Sequence, residues 1–201
     1  KLLVLGRLSL YGPRAARLHD EIVAVAAEWI DPDLRGKKRL TALARDDRDE
    51  VLAQLERALA TPRLRDVPAA LHTRLRAHAQ RDVAELLPQL EARGRERIAS
   101  AEKQLLRRGE QEATALAQVI AGQIARIHQK IAEHDGNQLG LDFRDEQERR
   151  QIAADRRYWD IRLPELAREA DRAPDAIRRS YAVQAVRVEP VGLVYLWPVS
   201  A

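Results

Sequence analysis

The sequence predicts a mainly α-helical protein in which a long antiparallel helical coiled-coil arm stands on a small α+β base. The base carries a three-stranded sheet built from both termini. Three observations predict this. From Gln89 to His134 there is no proline, and apolar residues recur at Leu90, Ile98, Leu105, Ala113, Leu116, Ile120, Ile124, Ile127 and Ile131. Steps of three, four and seven draw a narrow seam along one side of a helix, the pattern of a coiled coil. A second seam of Ile152, Trp159, Leu163, Leu166 and Ala170 has matching steps, and the two ends of the chain read as strands. Residues 1–201 are expected to form one elongated domain, with a base from 1–60 and 172–201 and an arm from 61–171.

In chain order, Leu2-Leu3-Val4-Leu5 with Leu8 and Leu10 reads as a buried strand over 2–10, ended by Tyr11-Gly12-Pro13. A helix is expected next, with Leu18, Ile22, Val25, Ala26 and Trp29 on one face until Asp31-Pro32-Asp33. Gly36-Lys37-Lys38 is a loop. A second amphipathic helix spans about 41–60, with acids at 46, 47, 49 and 50 near its start.

The arm opens at Val67-Pro68, and Pro88 is expected to kink or break it. At 1.5 Å per residue the unbroken stretch is roughly 70 Å long. Gly94, Gly109 and Gly122 each cost up to ~1 kcal/mol against Ala, so its helicity depends on a partner. Asp135-Gly136-Asn137 ends it, and Gln138 to Phe143 turns the chain. The return helix, from about Asp145 to Asp171, supplies the partner, with Pro164 as a bend. A short helix starts at Ala173-Pro174-Asp175. Finally Glu189-Pro190-Val191-Gly192 reads as a turn between strands 183–189 and 192–198, which need the 2–10 strand to complete a sheet.

Composition narrows the function. Net charge is +4, from 35 basic against 31 acidic residues, and acids interleave with bases nearly everywhere. That describes a solvated helix surface before it describes a nucleic-acid site. The absence of cysteine excludes disulfides and thiolate metal sites. The same absence of cysteine fits a cytoplasmic setting, and no apolar run is long enough to span a bilayer, which sets membrane insertion aside. The chain starts inside an apolar run and contains no methionine, so it is expected to be part of a longer polypeptide.

Chemistry-bearing patterns are sparse. His72 with His78, and His128 with His134, are each six apart, which puts them about 120° round a helix and suits no common metal ion. The acidic run Asp46 to Glu50 follows no apolar strand and fits a helix N-terminus. Phosphate-binding glycine loops, nucleophile elbows and HExxH are all missing, so the chain is expected to be non-catalytic and to hold neither cofactor nor metal. Arg pairs at 107/108, 149/150, 156/157 and 178/179 match phosphate geometry, but each has an acid within one turn. The densest basic stretch, Arg149, Arg150, Arg156 and Arg157, is the expected centre of any weak, salt-dependent contact with duplex DNA.

The opening LVLGRLSLYGPRAARLHDEI and the ending DRRYWDIRLPELAREADRAPDAIRRSYAVQAVRVEPVGLVYLWPVSA resemble the extreme C-terminus of large bacterial Swi/Snf-like helicases, notably those of DISARM anti-phage systems. The resemblance covers roughly the first twenty and last fifty residues. It implies a non-catalytic accessory region behind an ATP-driven, DNA-binding motor of the same polypeptide, offering an arm to other defence-system proteins or to DNA. No catalytic residue is carried over, because the motor motifs match no position here. The alternative reading of the same seams is a free-standing coiled-coil adaptor or dimerisation module.

Overall fold

The computed structural model describes residues 1–36, 38–61, 67–138 and 146–197, apart from the side chains of 136–138, 148 and 149. The chain forms β1 (Leu2–Tyr11), a 3-10 turn (Pro13–Ala15), β2 (Arg17–Ala27), α1 (Pro32–Arg35), α2 (Arg45–Ala60), α3 (Ala69–Gln138), α4 (Glu146–Ser180) and β3 (Ala185–Tyr195). It is mainly helical with a three-stranded antiparallel sheet from both ends of the chain, as expected. Two compact units contain these elements: residues 1–102 with 183–201, and residues 103–182.

In the first unit the strand order is β2-β1-β3, both pairings antiparallel. Central β1 is covered on both faces, which is why it reads as a near-continuous apolar run. Its pleat sends Leu3 and Leu5 to one side, where Ala24, Ala26 and Val194 join Val51, Leu52 and Leu55 of α2 in an apolar cluster. The other side carries Leu2, Val4, Gly6, Leu8 and Leu10. There Leu90 of α3 lies so close to Gly6 that a Cβ would fall 2.7 Å from its methyl carbon, and Gly94 makes an equally close approach to Val188 of β3. Residues 69–102, expected in the arm, therefore pack on the sheet of the base.

Three local expectations are corrected. Residues 17–27 are strand β2, not helix. Leu18, Ile22, Val25 and Ala26 fit a helical face, but Ile22, Val23 and Val25 are β-branched. The turn that closes the β1–β2 hairpin, with Gly12 N–H donating to the Ala16 carbonyl at 2.8 Å, places them at once on a waiting strand. The turn is strained: Arg14 and Ala15 both have φ of 58°. At the other end of the chain, where a hairpin of 183–189 and 192–198 is expected, Ala185–Tyr195 form the single strand β3. Leu5 pairs with Gly192 and Gly6 with Pro190, so Val191 bulges out and the proline is tolerated because β3 is an edge.

The prolines of the long helices break nothing. α3 runs unbroken through Pro88, and α4 through Pro164 and Pro174, absorbing the short helix expected at 173. A mid-helix proline costs about 3 kcal/mol. Leu86 and Leu90, both fully buried on either side of it, each return roughly 1.5–3 kcal/mol, and Pro88 itself is exposed. The turn expected after Gln138 lies outside the described residues.

In the second unit α4 runs antiparallel to the later part of α3. Arg178 meets Glu110, Tyr181 packs on Gly109, Arg156 meets Asp135, and the His134 and Trp159 rings are 5.2 Å apart. The paired positions sum to nearly the same number throughout, the signature of one constant register. Ala113, Ile120 and Leu166 are buried in this unit, in agreement with the two expected seams.

Candidate functional site

Two side-chain systems stand out, one in each unit. The first is a buried ionic and aromatic anchor that fixes α3 to the sheet. Asp82 is fully buried on α3. Its Oδ1 accepts from Arg35 Nη2 at 2.9 Å, and its Oδ2 accepts from Trp29 Nε1 at 2.9 Å and from the Tyr195 hydroxyl at 2.7 Å. Arg35 also reaches Glu85 at 3.2 Å, whose other oxygen accepts from the Leu40 amide at 3.0 Å. Trp29 packs edge-on against the rings of Tyr195 and Trp197. Thus α1, the segment that follows β2, β3 and α3 are tied through one carboxylate.

Local sequence explains how each group arrives. Asp31 caps α1 by accepting from the Asp33 amide, and Pro32 starts that single turn so that Arg35 points inward. Asp82 and Glu85, three apart on α3, present both carboxylates to it. Burial, and then the Asp82 carboxylate that accepts its proton, push the Tyr195 hydroxyl above the usual phenol range. Burial alone would raise Glu85, but the Leu40 amide and the Arg81 and Arg35 guanidinium groups outweigh it and hold the carboxyl low. Every ionised group of the anchor is engaged by another, which suits a structural lock.

Beside it, Asp31, Asp33 and His78 bring ligand atoms within 4.8 Å of one another. Arg74 bridges the two carboxylates, contacting Asp31 and lying 3.3 Å from Asp33, so a guanidinium already supplies the positive charge. His72, six residues before His78, is exposed on α3. Acids Asp46 and Asp47 lie in the first turn of α2, as a helix N-terminus favours.

The second system is the arginine set of α4, which divides by direction. Arg156, Arg162 and Arg178 flank the seam and are bound: Arg156 to Asp135 at 2.8 Å, Arg162 to Glu165 and Glu169 at 3.1 Å each, Arg178 to both oxygens of Glu110 at 2.7 and 3.0 Å. The Glu110 hydrogen bonds raise the Arg178 guanidinium further, and Arg178 in turn lowers Glu110. Of the four arginines expected to touch DNA, the structure does not make one free cluster. Arg150 is paired with Glu146 at 2.5 Å, Arg156 is turned to α3, and the Arg149 side chain lies outside the described residues. Arg157 is exposed and forms no ion pair among the described residues. Arg168, Arg172 and Arg179 share that condition; Arg179 belongs to one of the adjacent pairs, but counting such pairs misses Arg168 and Arg172. The signal that finds them is their angle on the helix, opposite the apolar seam.

No known family model matches the chain, and neither a curated protein nor a solved structure resembles it significantly.

Proposed function

We propose that this chain is the non-catalytic accessory region of an ATP-dependent, Swi/Snf-like DNA translocase of bacterial phage defence, and that its α3–α4 hairpin is a docking element for companion proteins. One observation carries the reading. The two segments that bear the helicase resemblance lie nearly a whole chain apart in sequence, yet their strands β1 and β3 pair along their full length in one sheet. The strand-forming parts of the resemblance therefore meet in one folded unit, while the rest of the ending, residues 155–182, belongs to the other. The anchor of Asp82 and Arg35 supports a mechanical role, since it makes the first half of α3 part of the sheet's core. On this reading the motor motifs lie in another part of the parent polypeptide, and the setting is the cytoplasm. Among the described residues no helix is long and apolar enough to cross a membrane.

The test uses the complete gene product. Replacing residues 103–182 by a short flexible loop is expected to leave DNA-stimulated ATP hydrolysis intact while abolishing phage protection and the co-purification of companion defence proteins. A reading frame that starts close to Lys1 and encodes no motor overturns the proposal in favour of a free-standing adaptor.

A further inference from the structure

We propose that the outward face of α4 is a binding stripe for the phosphate backbone of double-stranded DNA, carried by Arg157, Arg168, Arg172 and Arg179. The inference deepens the accessory-region reading and rests on it for the presence of DNA nearby; the charge pattern stands on the hairpin's own geometry. At about 100° per residue the four fall within roughly 60° of arc, on the side opposite Trp159, Leu166 and Ile177. All four are exposed, and none forms an ion pair among the described residues. The contrast with Arg156, Arg162 and Arg178 is the core of the argument. Between 156 and 179, arginines that flank the seam are neutralised by Asp135, Glu165, Glu169 and Glu110, whereas those facing away meet no carboxylate and spend at most Nε on a backbone carbonyl; Arg150 lies on the same arc but is paired with Glu146 and is left out of the stripe.

Neighbouring acids do not cancel the stripe. Asp175 lies within the same arc, but its Oδ1 is bonded to Arg178 at 2.7 Å. Glu165 and Glu169 are held by Arg162. Asp160 and Asp171 sit roughly 70–90° round the helix from the stripe's centre. Ile161, 65% exposed, lies among the arginines and offers only aliphatic contact.

The spacing selects the partner. From Arg157 to Arg179 is 22 residues, about 33 Å of helix, close to the 34–36 Å of one turn of B-form DNA. A row of planar donors along one helix reads phosphates and not bases, so binding is predicted to be indifferent to sequence. Compact A-form RNA presents its phosphates with a different groove geometry and is expected to bind less well.

Neutralising four phosphates gives a slope of about −3.6 in log affinity against log salt, so affinity falls about 150-fold between 50 and 200 mM salt. The experiment is an anisotropy titration of a labelled duplex of about two turns with the full 201-residue chain. The stripe variant R157Q/R168Q/R172Q/R179Q is compared with R57Q/R76Q/R95Q/R107Q, which removes the same four charges from other exposed positions; each takes the net charge from +4 to 0. Circular dichroism verifies that both remain folded. The expected result is that the stripe variant loses binding and the control keeps both the affinity and the slope of the parent. Equal loss in the two variants, no binding by the parent at 50 mM salt, a salt-insensitive affinity, or equal affinity for duplex RNA each overturns the proposal. None of these touches the accessory-region reading, which is decided by companion capture.

Discussion

At the scale of single residues, the position on which most depends is Asp82. Its two oxygens accept from three donors inside the first unit, so Asp82→Ala leaves Arg35 buried with only Glu85 to balance it. Removing one partner of a buried pair costs about 3–5 kcal/mol, and Glu85 places the expected loss at the lower end of that range. Urea unfolding followed by Trp fluorescence measures it; a loss below about 1 kcal/mol would mean that the anchor is no lock. Tyr195→Phe deletes one hydrogen bond and keeps the ring against Trp29, for an expected cost of about 1 kcal/mol.

The same hydroxyl makes a pH prediction. Because the folded pKa of Tyr195 lies above the unfolded value of 10.0, its contribution is complete below that value. It is lost as pH rises from there through the folded pKa, as the unfolded chain releases a proton the folded one keeps. Stability should therefore fall above about pH 10, and more steeply in the parent than in Tyr195→Phe. Identical slopes in the two would contradict the assignment. None of this was legible in sequence, where Asp82 and Arg35 are ordinary members of charged stretches. Only the fold brings together residues so far apart in the chain.

At the scale of elements, the glycines of α3 separate propensity from packing. A Cβ at Gly122 meets nothing within 4 Å, whereas one at Gly94 meets Val188 Cγ2 at 2.7 Å. Gly122→Ala is expected to stabilise by up to ~1 kcal/mol through helix propensity alone. Gly94→Ala carries the same gain against an overpacking cost of about 1–3 kcal/mol, and is expected to destabilise. Thermal melts of the two variants should move in opposite directions; movement in the same direction would show that α3 does not lie on β3 as described. The seams of α3 and α4 were legible because a long helix repeats its period many times, so Ile120 and Leu166 announce their burial. Strand β2 was not, since a short run such as Ile22-Val23-Ala24-Val25 satisfies both periods and is decided by pairing with β1. Pro88 misled for the opposite reason: the local penalty is real but smaller than the burial of Leu86 and Leu90.

At the scale of the whole molecule, the two ends of the chain are interdependent. β3 supplies one of the two neighbours of β1, closes the sheet with Leu196 N–H donating to the Lys1 carbonyl at 2.8 Å, and brings Tyr195 to Asp82. A chain ending at Ala182 keeps every residue of the second unit but loses all of these from the first. Half-burial of Leu193, Val194, Tyr195 and Leu196 alone contributes on the order of 1 kcal/mol each. With the lost Tyr195 hydrogen bond to Asp82 and an open apolar edge beside β1 added, the total approaches the 5–15 kcal/mol that holds an ordinary domain together. The truncated chain is therefore expected to retain most of its helical signal in the far ultraviolet while losing the near-ultraviolet signal of Trp29, and the β1 amides should exchange freely. Retention of the Trp29 signal after truncation would show that the β1–β2 hairpin with α2 and α3 suffices. In that case the sheet built from both termini would be an accessory of the first unit and not its core.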